Sequence, residues 1–140
     1  RVGGRVGDMG ACERGYRTGE RVGHGPLFAG VPAWFTAFET HCDRVAERRS
    51  GAVELARNDN GLQAWRLGST YGVQFHPEYD MATAESVTRG KGDQLPDERI
   101  DAVLDGITEE NYRAARRTRR LFDNFIEFVD DVRSARVSTN

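Results

Sequence analysis

Between residues 52 and 76 the chain alternates short apolar–polar segments with turn residues. AVELAR (52–57) leads through NDNG (58–61) into LQAWRLG (62–68), and TYGVQFH (70–76) follows a Gly-Ser break. Alternation at period two buries one face of each segment, and connections this short join only antiparallel neighbours. An antiparallel meander is therefore expected. The pattern changes after Glu78. DMATAESVTRG (80–90) opens on a capping aspartate and closes on glycine. LPDERIDAVLDGI (95–107) places Pro96 near a helix start, with Ile100, Val103, Leu104 and Ile107 at helical spacing. Residues 108–135 then read as one long amphipathic helix. Its apolar stripe is Tyr112, Ala115, Leu121, Phe122, Phe125, Phe128, Val129 and Val132, and Asn111 stands where a capping box would need glutamate. The arginine-rich run Arg116–Arg120 reads as its solvated face.

Upstream, residues 1–25 are rich in glycine and read as loops with one strand near Arg17–Gly23. GPLFAGVP (25–32) sets turn residues around an apolar plug, Leu27 and Phe28. AWFTAFET (33–40) is aromatic and β-branched and reads as a strand. Strands followed by helices would normally mean α+β. A strand, a loop bearing His and Glu, and then a helix is also how open α/β sheets end, with sites beyond the carboxyl ends of strands. GVQF, a nearly continuous apolar run, suits a buried sheet strand ending on His76.

Composition narrows the function. At 140 residues with 38% hydrophobic and 30% charged side chains, the chain has the balance of one soluble domain or a piece of a larger one. A net charge of −2 argues against a general nucleic-acid surface. No window approaches a membrane span, and RVGGRVGDMG lacks the apolar core of a signal peptide. Cys12 and Cys42 do not amount to a disulfide framework and read as small buried or half-buried thiols, so a cytoplasmic protein is expected.

His76 and Glu78 carry the chemistry. Imidazole moves protons near neutral pH and does so best when a carboxylate fixes its tautomer. Pro77 between them stiffens the link. Spacing alone leaves two readings open, a catalytic pair or a surface loop with a solvated glutamate. A metal site has less support: there is no His-Glu-x-x-His, and Cys42 beside His41 lacks a spaced second pair.

YGVQFHPE (71–78) closely resembles the histidine–glutamate motif of the class I glutamine amidotransferases. Other stretches match that family in order: VGGRV (2–6), the segment after its nucleophile helix; GPLFAGVP; THCDRV (40–45), similar to its SHGD.V segment; and LARNDNGLQAWRLG, its hairpin before the last catalytic strand. The resemblance covers roughly residues 2–80 and looks closest to the amidotransferase part of guanylate synthases, with stand-alone enzymes acting on other γ-glutamyl compounds as a further group. It implies an α/β fold. Residues 1–140 would be the carboxyl-terminal part of an open, mainly parallel-sheet domain, with an antiparallel meander and terminal helices.

The implied mechanism is glutamine side-chain hydrolysis by a Cys-His-Glu triad. The cysteine forms a γ-glutamyl thioester, backbone N–H groups hold the oxyanion, and ammonia passes to a synthase partner or domain. His76 would be the general base and acid and Glu78 its orienter. Thr40 and His41 match a loop that holds the α-groups of glutamine, with Cys42 replacing the family's usual glycine. No cofactor is implied. The family places its nucleophile in Gly-x-Cys-x-Gly upstream of GGRV. The amino-terminal strands and nucleophile are therefore expected to lie outside this chain, and the chain alone is expected to be inactive. Neither Cys12 nor Cys42 sits between an apolar strand and a helix as that nucleophile does. The competing reading is a non-catalytic interaction module on the same scaffold, its long helix docking a partner.

Overall fold

The computed structural model describes residues 4–137. Val2 and Gly3 of the VGGRV segment fall outside them. Five strands, β1 (Arg5–Arg21), β2 (Trp34–Glu47), β3 (Val53–Asn58), β4 (Gly61–Leu67) and β5 (Thr70–Val73), form one sheet in the order β2-β1-β3-β4-β5. Every pairing is antiparallel. The expected meander is β3-β4-β5, and the helices follow it. The mainly parallel sheet implied by the resemblance is not what these residues form: β1–β2, β3–β4 and β4–β5 are hairpin pairs, and β3 returns antiparallel to the other edge of β1.

The largest difference from expectation is β1. A glycine-rich stretch read as loops is a 17-residue strand paired along β2. The reason lies across the sheet. Gly19 pairs with Phe35, and a Cβ on Gly19 would sit 2.7 Å from the Phe35 ring. Gly72 and Trp65 repeat the arrangement between β4 and β5, at 2.5 Å. Each ring lies over the bare backbone of its partner, covering surface that glycine leaves open. The register of β1 against β2 shifts between Asp8 and Glu13, where Gly10 takes a φ of 72°.

The core gathers Leu27, Phe28 and Val31 from the plug segment, Phe35 and Ala37 of β2, Leu55, Ala56, Ala64, Phe75 and Leu121. Phe28, Phe35 and Phe75 pack with ring centroids 5.4–6.5 Å apart.

The helices are α1 (Met81–Arg89), α2 (Asp97–Asp105), α3 (Glu109–Ala115) and α4 (Arg120–Val137). Asp80 caps α1 by accepting from the Thr83 N–H at 2.8 Å. The single helix expected over 108–135 is broken by a 3-10 turn at Arg116–Arg119. There the buried Thr118 hydroxyl donates to the Ala115 carbonyl at 2.7 Å, a back-bond that bends helices. The bend brings α4 onto the plug, where buried Asn124 donates to the carbonyls of Leu27 and Ala29, each at 2.8 Å. The apolar stripe of α4 is only partly covered. Leu121 is buried, and Phe125 and Phe128 meet Tyr71 edge-on, but Phe122, Phe125, Ile126 and Val132 stay exposed.

Candidate functional site

Strand β5 ends at Val73, three residues before His76, and the chain bends at Gln74 and Phe75. Gln74 N–H donates to the Gln63 carbonyl at 2.9 Å, and His76 N–H donates to the Phe38 carbonyl of β2 at 2.9 Å. The segment thus leaves the edge of β4 and bridges to β2. Phe75 drives this. Its ring enters the core at 2% exposure, which stabilises by roughly 1.5–3 kcal/mol. The next residue, His76, keeps part of its side chain at the surface. Pro77 is buried, and Tyr79 N–H closes a turn onto the His76 carbonyl at 3.4 Å.

Within this turn His76 Nδ1 lies 2.7 Å from Glu78 Oε1. The carboxylate accepts a hydrogen bond from the Nδ1–H and so fixes that tautomer. Nε2 makes no hydrogen bond among the described residues, and the two side chains keep 29% and 51% of their surface. The imidazole stacks on Tyr79 with centroids 4.3 Å apart and planes 20° apart. Tyr79 continues into Phe38, and Phe38 into Tyr16, at 5.8 and 5.1 Å. Arg119, placed by the 3-10 turn, donates from Nε to the Pro77 carbonyl at 3.3 Å and from Nη2 to the Glu78 carbonyl at 3.1 Å. The solvated face assigned to Arg116–Arg120 therefore fails at Arg119, which the helix break turns inward. Sequence offered no signal for Arg119; Tyr79 was visible only as an aromatic next to the motif.

Thr40 and His41 lie on β2, just past Phe38, and each is already occupied. The Thr40 hydroxyl accepts from Arg14 Nη1. His41 Nδ1 donates to the Asp43 carbonyl at 2.8 Å, and its Nε2 faces Glu39 at 3.1 Å and Glu13 at 3.3 Å. No ring nitrogen of His41 is left for a ligand. Asn58 and Gln63 also donate to Glu13. The Glu13–His41 neighbours on β1 and β2 make a cluster that the sequence reading missed, since residues 13, 39 and 41 meet only once the strands pair. Burial pulls the His41 pKa down, but the hydrogen bonds to Glu13 and Glu39 outweigh it and push it up to about 10. Burial pushes Glu39 up to about 7, with repulsion from Glu13 adding to it and the His41 bond opposing it. Glu13 is held below the usual carboxylate range, because hydrogen bonds from His41 and the neighbouring asparagines outweigh its burial. Ligand atoms of the three lie within 4.8 Å of one another, close enough to hold a cation, but the imidazolium already supplies the counter-charge.

Cys12 and Cys42 are joined in a disulfide across β1 and β2. This corrects the reading of two separate thiols: the strands bring positions 30 apart in sequence to a Cα separation of 4.0 Å. Arg14 Nη2 also donates to Cys42 Sγ at 3.2 Å. Among the described residues no cysteine is free.

No known family profile matches the chain. Individual proteins do. The glutamine-hydrolysing GMP synthase of Thermomicrobium roseum is 40% identical over 78 residues, covering 55% of this chain and 15% of the synthase. The γ-glutamyl-L-1-hydroxyisopropylamide hydrolase of a Pseudomonas species is 36% identical over 83 residues, 53% of this chain and 28% of the hydrolase. In structure, a glutamine amidotransferase of Thermotoga maritima superposes with a TM-score of 0.74 at 21% identity, over 90% of this chain and 56% of the other. A GMP synthase subunit of Thermoplasma acidophilum gives 0.66 at 18% identity, over 96% and 52%. The chain thus spans about half the length of these solved proteins and a smaller part of the matched sequences. Sequence and fold together make this chain a relative of the class I glutamine amidotransferases.

Proposed function

We propose that this chain is the histidine–glutamate part of a glutaminase that releases ammonia from the glutamine side chain for a synthase, in guanine nucleotide synthesis or a related amination. The observation that carries this reading is the 2.7 Å bond from His76 Nδ1 to Glu78, with Nε2 unbonded among the described residues on a side chain that keeps 29% of its surface. That is the state of a general base: tautomer fixed on one side, acceptor open on the other. In this reading Nε2 takes the thiol proton and later gives one to the leaving ammonia, while Glu78 steadies the imidazolium in between. The thiol is not Cys12 or Cys42, since each is consumed by the other. It comes from a Gly-x-Cys-x-Gly segment outside residues 1–140. Thr40 and His41 shape the strand facing the α-groups of glutamine, His41 by holding its backbone rather than by a ring nitrogen. The partner is the synthase unit that takes the ammonia.

No helix among the described residues is long and apolar enough to cross a membrane. A cytoplasmic setting stays part of the proposal, although the Cys12–Cys42 bridge removes the thiol argument for it.

The 140-residue chain alone is expected to release no ammonia from glutamine. In the full-length protein, His76→Ala should lower glutamine-driven turnover by ~10²–10⁴-fold, the usual worth of a positioned acid–base. Glu78→Gln should lower it less, and the reaction fed with external ammonia should persist in both. Equal loss of the glutamine- and ammonia-driven reactions would assign the pair to folding or partner contact instead. The exposed Phe122, Phe125 and Ile126 on α4 favour the alternative of a non-catalytic docking module, which would show binding to a synthase and no glutaminase activity in any form of the protein.

A further inference from the structure

His76 is anchored through its N–H to Phe38, and Asp80 is anchored as the cap of α1. Between these two points the main chain carries Glu78, whose carboxylate direction follows from the Pro77–Glu78 backbone. The two carbonyls of that stretch are both taken by one guanidinium, Arg119. The neighbours Arg116, Arg117 and Arg120 are exposed, whereas Arg119 is half-buried. Its reach spans 42 residues of sequence and depends on the 3-10 turn that interrupts the terminal helix.

Resting on the glutaminase reading, we propose that Arg119 is a positioning residue that locks the Pro77–Glu78 turn and thereby aims the Glu78 carboxylate at His76 Nδ1. The side-chain type fits. A guanidinium presents separate N–H groups in a rigid plane and can satisfy two successive carbonyls at once, while an ammonium is a point donor on a flexible stem. The positive charge also stands beside Asp80, whose carboxyl is held below its usual range chiefly by the Thr83 hydrogen bonds and to a smaller extent by Arg119. Arg119 touches neither the imidazole nor the Glu78 carboxylate among the described contacts, so it acts through the backbone. The 3-10 turn then has a use: it rotates one arginine of a surface run onto the loop.

The test compares Arg119→Met, Arg119→Lys and, as a control in the same run, Arg117→Met in the full-length protein. Displacing a catalytic group by about 1 Å can cost on the order of 10²-fold, so Arg119→Met is expected to lower glutamine-driven kcat by roughly 10–100-fold. KM should change little, and ammonia-driven turnover and Arg117→Met should match wild type. Arg119→Lys, which reaches one carbonyl, should recover only a minor part. In ¹⁵N-edited spectra the hydrogen-bonded Nδ1 proton of His76 should weaken or exchange faster in Arg119→Met. Should that variant fail to fold, Arg119→Lys decides by the same two readings at unchanged melting temperature. Wild-type kcat with an unaltered His76 signal, in either folded variant, would overturn the proposal, as would an equal drop in Arg117→Met. The spectra separate this idea from the functional reading: if His76→Ala retains glutaminase activity the function is wrong, while the His76 signal still reports whether Arg119 holds the turn.

Discussion

His76 and His41 both face glutamates, and the two settings differ in what they leave free. His41 is closed on every side, with a carbonyl at Nδ1 and two nearly buried carboxylates at Nε2. His76 has one carboxylate, an aromatic platform and one nitrogen without a partner among the described residues. A buried carboxylate pair needs a cation beside it, so His41 holds its proton and serves the fold. A proton shuttle needs the reverse: one nitrogen engaged, one empty, and access for a substrate. The same side-chain types do structural or chemical work according to how many acceptors surround the ring.

The strongest way to break this comparison is stability. His41→Leu strands two buried carboxylates and should cost about 3–5 kcal/mol in urea denaturation. His76→Leu removes a half-exposed pair and should cost less than about 1 kcal/mol. Equal costs would mean that both histidines are structural.

The disulfide sharpens the contrast next. Cys42 follows His41 directly, so the bridge clamps β1 to β2 beside the buried cluster. Cys12→Ser should lower stability by about 2–4 kcal/mol under oxidising conditions, and the gap to wild type should shrink once a reductant opens the bridge in both. The His76 Nδ1 signal should stay unchanged. A change in that signal would couple the two regions.

Smaller still is the effect of pH. Glu39 and His41 both have folded pKa values raised above their unfolded ones, to about 7 and about 10. The folded state therefore keeps these protons longer than the unfolded chain, so their stabilisation is full at low pH and fades as pH rises. Glu39 loses it between its ordinary value near 4.5 and about 7, and His41 between 6.5 and about 10. Melting temperature should fall from pH 7 to 10, and His76→Ala should show the same fall. A fall that disappears in His76→Ala would place the titration at the wrong ring.

The least effect is expected from Glu78→Gln on stability, below about 0.5 kcal/mol, since its partner pair is surface-exposed. A larger loss in urea denaturation would make the loop structural rather than catalytic.

Much of the fold was legible where neighbours in sequence decide it. Turn residues at 58–61 marked the hairpin between β3 and β4, and Asp80 and Gly90 marked the ends of α1. The bond between His76 and Glu78 spans two residues and was readable from a three-residue motif. Strand β1 was not legible, because its glycines are made strand-compatible by rings on β2 that the local pattern does not contain. The terminal helix misled for a related reason: its period is helical on both sides of Thr118, and the break follows from where α3 and α4 must dock.

By itself the sequence determined the meander, the order of strands before helices, and the His-Pro-Glu turn with its chemical character, all set by side-chain alternation, turn residues and short-range spacing. Only the tertiary structure decided that Cys12 meets Cys42, that Glu13 and Glu39 enclose His41, and that Arg119 alone of its run reaches the turn. Apart from the Glu39–His41 neighbours on β2, these contacts join residues distant in the chain, and they exist only after strands and helices have packed. That packing is driven by burial of Phe28, Phe35 and Phe75, and burial is indifferent to which polar groups it brings together.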